Sequence, residues 1–204
     1  MATVTFSRRA TLKALGATIG GLAVWPYLPD AGAEAFGRIQ AGDPPRLAFL
    51  DAAQYDAIDA LAETIIPTDD HSPGARAARV ADYIDLLLSE SDADTQQTWS
   101  AGLALLDGQS RDRFGAPYAG LSASQAVEFV TEISRGELDP RTPLERFFKT
   151  TKDATIRGYY TSRIGIHQEL EYKGNRVLRE FVGCTHPEHG YTATKAVTSA
   201  TEGA

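Results

Sequence analysis

The sequence predicts an all-α fold: a single helical domain of about five main helices with an irregular C-terminal segment. Apolar residues recur at three- and four-residue spacing in several stretches, and proline, glycine and capping residues punctuate those stretches. No run alternates with period two for long enough to build a sheet. At 204 residues the chain is sized for one domain behind a short leader, with 43% apolar and 23% charged residues.

The leader comes first. Residues 7–13 read Ser-Arg-Arg-Ala-Thr-Leu-Lys, followed by a mildly apolar stretch from Ala14 to Leu28. Ala31-Gly32-Ala33 then offers a small-residue cleavage site, so residues 1–33 have the layout of a signal peptide. The paired Arg8 and Arg9 mark the twin-arginine type, which carries proteins already folded. Ala10 and Thr11 depart from the usual pattern, and a basic surface helix is the plainer alternative. The apolar stretch is too short to span a bilayer. The expected address is therefore the periplasm, with membrane association only through partners.

Residues 34–50 show little pattern and contain Pro44-Pro45, which predicts an extended lead-in. Asp51 with Gln54 forms a capping box for a helix carrying Tyr55, Ile58, Leu61 and Ile65, which stops at Pro67. Residues 67–75 are loop by every local signal. A second helix is predicted over 76–90 from Val80, Tyr83, Ile84, Leu87 and Leu88, and a third over 94–114 from Trp99, Leu103, Leu106 and Phe114. Ser122 and Gln125 cap a fourth, ended by Gly136 to Pro140. Thr142, Pro143 and Glu145 open a fifth that runs towards Gly158-Tyr159-Tyr160. Periodicity is weak from Ser162 to Tyr191, and residues 192–204 read as a disordered tail behind a helical domain over 34–191.

Charge narrows the partner classes. The net charge is −7, and removing the leader with Arg8, Arg9 and Lys13 makes the remainder more acidic. Nucleic acid and anionic lipid are poor partners for such a surface. A protein or a neutral sugar fits better.

The chain carries few patterns of catalytic chemistry. Dinucleotide, P-loop, zinc-protease and serine-hydrolase motifs are absent, as is C-x-x-C-H for covalent haem. Asp69-Asp70 reads as a turn former, and His71 beside them as a surface loop histidine able to reach a partner. The segment Cys184-Thr-His186-Pro-Glu-His189 has four readings: a metal site, a nucleophile pair, a structural free thiol, or a bridge to another chain. Phe147-Phe148 and Tyr159-Tyr160 are adjacent aromatics that cannot share one helix face, since neighbours differ by about 100°. At least one of each pair is free for a second buried surface, either core or interface.

Seven fragments stand in order along the chain: Ile65-Ile66-Pro67-Thr68-Asp69, Ser72-Pro73-Gly74-Ala75, Val80-Ala-Asp-Tyr83-Ile84, Arg113-Phe114-Gly115, Phe147-Phe148, Gly158-Tyr159-Tyr160 and Gly183-Cys184-Thr185-His186-Pro187. Together they resemble the gluconate 2-dehydrogenase subunit 3 family. The resemblance implies an accessory, non-catalytic small subunit that binds no cofactor itself. Its partner would be a glucose–methanol–choline-type large subunit holding FAD and oxidising a sugar or polyol, with a multihaem cytochrome c taking the electrons onward. It implies that the small subunit exports and stabilises the large one. It also favours a structural or inter-subunit role, such as a disulfide, for Cys184. The candidate partner interface comprises His71, Pro73, Phe148, Tyr159, Tyr160 and His186. Two rivals stand beside this reading: a small periplasmic enzyme using Cys184, His186 or His71, and a stand-alone helical binding module.

Overall fold

The computed structural model describes residues 28–44 and 46–174. The chain divides after Tyr172 into two units, and all the helices described belong to the first. Among the described residues there is no strand. Among the described residues, six α-helices carry the fold: α1 (Asp30–Gln40), α2 (Ala52–Ile65), α3 (Val80–Ser89), α4 (Ala93–Phe114), α5 (Ala123–Ser134) and α6 (Pro143–Tyr160). A 3₁₀ turn (Tyr118–Gly120) and a π-helical turn (Gly165–Glu169) complete the set. The all-α expectation holds.

Local chemistry sets most helix starts. Asp51, Ser122 and Thr142 each accept a backbone N–H from the residue three positions on, and Gln54, Gln125 and Glu145 reach back in turn. Pro143 occupies the first position of α6, where a missing N–H costs nothing. Asp92 caps α4 through the Thr95 N–H, and Gly115, at φ 76°, ends it in the left-handed conformation.

Two elements differ from expectation. Residues 34–50 are not an extended lead-in throughout, because α1 runs from Asp30 to Gln40. Its apolar positions are sparse, and it is held from outside: Phe36 meets Tyr83 edge-on at 5.4 Å. Helix α3 begins at Val80 rather than at 76. Arg79 sits at φ 60°, ψ 38°, a left-handed conformation that interrupts the helical run.

Helix α3 is the axis of the core. Val80, Ile84, Leu87 and Leu88 are fully buried, and α1, α2, α4 and α6 all pack against it. Its two acids are buried as well. Asp85 accepts the N–H groups of Ala48, Phe49 and Leu50 at 2.6, 3.0 and 2.8 Å, fastening the chain just before α2. Asp82 accepts from the Tyr55 hydroxyl at 3.0 Å and pairs with Arg79. Burial raises the carboxyl of Asp82 above its ordinary range despite that cation, and burial likewise raises Tyr55. On the opposite side, Trp99 of α4 meets Phe147 of α6 at 5.5 Å. Tyr118 is buried between α4 and α2, its hydroxyl donating to Thr64 Oγ1 at 3.1 Å, and burial pushes that hydroxyl up to about 12.

Candidate partner interface

The loop between α2 and α3 is rigid because its polar groups satisfy one another. Asp69 accepts from the N–H groups of His71 (2.9 Å) and Ser72 (2.8 Å), which holds its carboxyl below the usual range. Glu63, at the end of α2, accepts from the N–H groups of Thr68 and Arg76 on either side of the loop. Thr68 Oγ1 accepts from the Gly74 N–H at 2.8 Å. A Cβ at Gly74 would lie 2.6 Å from both Glu63 Oε1 and the Thr68 nitrogen, so the tight return requires glycine.

Helix α6 locks this loop from behind. The Ser72 hydroxyl donates to Tyr159 Oη at 2.7 Å, and that hydroxyl donates in turn to the Pro73 carbonyl at 2.8 Å. One residue earlier, Gly158 lets α6 seat against the Tyr83 ring, where a Cβ would come within 2.9 Å. The segment Thr68 to Gly74 and nearby Tyr83 thus form one unit with the distant Gly158-Tyr159.

The exposed side of this unit is amphipathic. Tyr160 packs edge-on against Tyr159 at 5.3 Å and leaves 38% of its surface exposed. Ile156, one helical turn before it, is equally exposed. His71 Nε2 contacts the Glu169 carbonyl at 3.1 Å and lies 3.8 Å from its carboxylate, tying the loop to the π-helical turn. The carbonyl contact, chiefly, raises the His71 imidazole above its ordinary value. Leu170, next to Glu169, is 57% exposed.

Of the expected interface residues, His71, Pro73, Tyr159 and Tyr160 come together here. Phe148 does not. It lies 11 positions before Tyr159, about 16 Å along the helix, and is 3% exposed inside the chain's own core. Tyr159 is 1% exposed, so it supports the patch from beneath instead of presenting a face to a partner. Arg8, Arg9, Cys184 and His186 lie outside the described residues. Exposed Ile156 and Leu170 are not among the expected residues, although the spacing of Ile156 to Tyr160 is a readable signal of a shared helix face.

Among the described residues no group of three or more histidine, cysteine or carboxylate side chains could hold a metal ion. No helix among them is long and apolar enough to cross a membrane. A cleft of about 590 Å³ opens between the end of α1 and the π-helical turn, lined by Gln40, Asp43, Arg79, Arg163, His167 and Gln168 among others.

No curated protein and no solved structure matches the chain. The family model described as gluconate 2-dehydrogenase subunit 3 matches residues 52–176, which takes in α2 through α6, the rigid loop and the π-helical turn. The chain belongs to the gluconate 2-dehydrogenase subunit 3 family.

Proposed function

We propose that this chain is the accessory, non-catalytic small subunit of an FAD-dependent, glucose–methanol–choline-type sugar or polyol dehydrogenase. In this reading the flavin belongs to the large subunit, and a multihaem cytochrome c receives its electrons. The small subunit supplies the twin-arginine address through Arg8 and Arg9 and steadies its partner once both reach the periplasm.

The observation that carries the reading is the family match, whose description names a dehydrogenase subunit and whose span covers the whole interlocked unit. The geometry supplies a suitable docking face. Exposed Tyr160, Ile156 and Leu170 stand on a loop and helix end already fixed by internal hydrogen bonds, so little ordering cost remains on association. A standard interface would cover on the order of 1,600 Å² in total. This patch would be its centre, where tyrosine and aliphatic anchors concentrate binding energy.

Affinity capture from the native host tests the assignment. A large partner with a flavin absorption spectrum should co-elute, and sugar-dependent reduction of an artificial acceptor should follow that partner. Capture without any flavoprotein refutes the reading. The export half has its own test: the Arg8→Lys, Arg9→Lys double variant should leave the dehydrogenase activity in the cytoplasm. Undiminished periplasmic activity in that strain removes the export role. Non-reducing electrophoresis of the complex, with Cys184→Ser as the control, decides whether Cys184 bridges the subunits.

A further inference from the structure

The expected cut of the leader falls between Ala33 and Glu34, and that bond lies inside α1. The helix begins at Asp30, and the Ala33 N–H already donates to the Pro29 carbonyl at 2.9 Å. Leu28, upstream of the bond, is 6% exposed, and Gly32 is buried in contact with it: a Cβ there would stand 3.0 Å from Leu28 Cδ2. Downstream, Phe36 is 5% exposed and anchored on Tyr83. At the far end of the helix, Gln40 Oε1 accepts the Arg163 N–H at 3.0 Å. Packed groups therefore bracket the bond on both sides.

A peptidase takes its substrate as an extended segment, so a helical bond is cut only through a locally opened form. Opening here means unwinding the first turns of α1 and lifting Leu28 out of the core. A twin-arginine passenger folds before it crosses, so the peptidase meets the bond after α1 has docked. We infer that the Ala33–Glu34 bond survives export and that Leu28 to Ala33 stay in the finished protein as the start of α1. Any processing falls N-terminal to Leu28.

The inference takes the leader's role from the proposed function, whereas the protection of the bond belongs to the fold alone. Intact mass and N-terminal sequencing of the protein from the cell envelope read the outcome directly. The first residue should be Leu28 or one before it. An N-terminus at Glu34 overturns the inference while leaving the subunit assignment standing. Conversely, capture without a flavoprotein would sink the assignment and leave this N-terminus unaffected.

A second measurement isolates the cause. Elastase, which cuts after small residues, is applied to the purified full chain and to Phe36→Ala, with cleavage after Ala31 and Ala33 followed by mass. Those bonds should be cut on the order of tenfold faster in the variant, as the docked helix opens more often. Equal rates overturn the claim that docking protects the bond. If Phe36→Ala does not fold, Gln40→Ala, which removes the links to the Arg163 N–H and the Ala78 carbonyl, gives the same comparison with a smaller expected increase.

Discussion

Replacing Asp85 removes a single carboxylate that holds three consecutive backbone donors, and two substitutions separate its parts. In the wild type, Oδ1 accepts from Phe49 and Leu50, and Oδ2 accepts from Ala48. Alanine removes all three bonds at once. The Leu50 N–H is buried and has no water to turn to, whereas the Ala48 and Phe49 groups are partly solvated. Hydrogen bonds to a charged acceptor contribute about 1.5–3 kcal/mol each, and relief of the buried charge offsets some of the loss. A net cost of about 4 kcal/mol follows for Asp85→Ala, or roughly 8–16 °C in Tm for a chain of this size. Asparagine keeps one oxygen for Phe49 and Leu50 but turns an NH₂ donor towards the Ala48 donor. Asp85→Asn should therefore cost about half as much, roughly 2 kcal/mol. Urea denaturation followed by far-UV circular dichroism gives both values. If the two variants match each other, or both stay below about 1 kcal/mol, the three-donor clasp is not what fixes this segment.

Three further outcomes test the interlocked loop and its face. Tyr159→Phe deletes the donor to the Pro73 carbonyl and the acceptor for Ser72, and should cost about 1–3 kcal/mol; hydrogen exchange should show lost protection in residues 67–75 and little change in α4. The His71 imidazole is raised by its contact with the Glu169 carbonyl, so the folded state holds the proton more tightly than the unfolded chain does. The stabilising link is fully present below the unfolded value of about 6.5 and fades as pH climbs through the higher folded value. Protection factors of the loop should fall across that window in the wild type and stay flat in His71→Ala; a flat wild-type profile refutes the link. Tyr160→Asp should cost about 1–2 kcal/mol in urea, through the lost edge contact with Tyr159 and an acid at a helix C-terminus. It should also weaken capture of the proposed flavoprotein by at least about tenfold, or roughly 1.4 kcal/mol, whereas Tyr160→Ala, without the added charge, should weaken it with a smaller stability cost. Unchanged capture moves the interface off this patch.

What could be read from the chain depended on how local the determining interactions are. The starts of α2, α5 and α6 were legible because Asp51–Gln54, Ser122–Gln125 and Thr142–Glu145 sit within one turn of the ends they cap. Helix α1 was not legible, because two glycines weaken its intrinsic propensity and its support comes from Tyr83, 47 positions away. The start of α3 was misplaced by four residues because an arginine, not a glycine, adopts the left-handed conformation there. Asp82 and Asp85 also gave no sign of burial. An acid on an amphipathic helix ordinarily faces water, and only the fold shows which backbone donors surround it.

The two pairs of adjacent aromatics pack differently for one physical reason. The rule that adjacent aromatics cannot share a face assumes a helix with a single buried side. At Phe147 and Phe148 that assumption breaks, because α6 is packed by α2, α3, α4 and α5 and both rings go inside. At its last turn the enclosure ends. There the rule holds: Tyr159 turns inward to bind Ser72 and Pro73, and Tyr160 turns outward beside Ile156. The same hydroxyl contacts that bury Tyr159 fix the direction of Tyr160, its neighbour on a rigid helix end. A partner that reads Tyr160 therefore reads, through one peptide bond, whether the 67–75 loop is properly closed. Capture should accordingly weaken in Tyr159→Phe as well as in Tyr160→Asp, although Tyr159 itself offers a partner almost no surface.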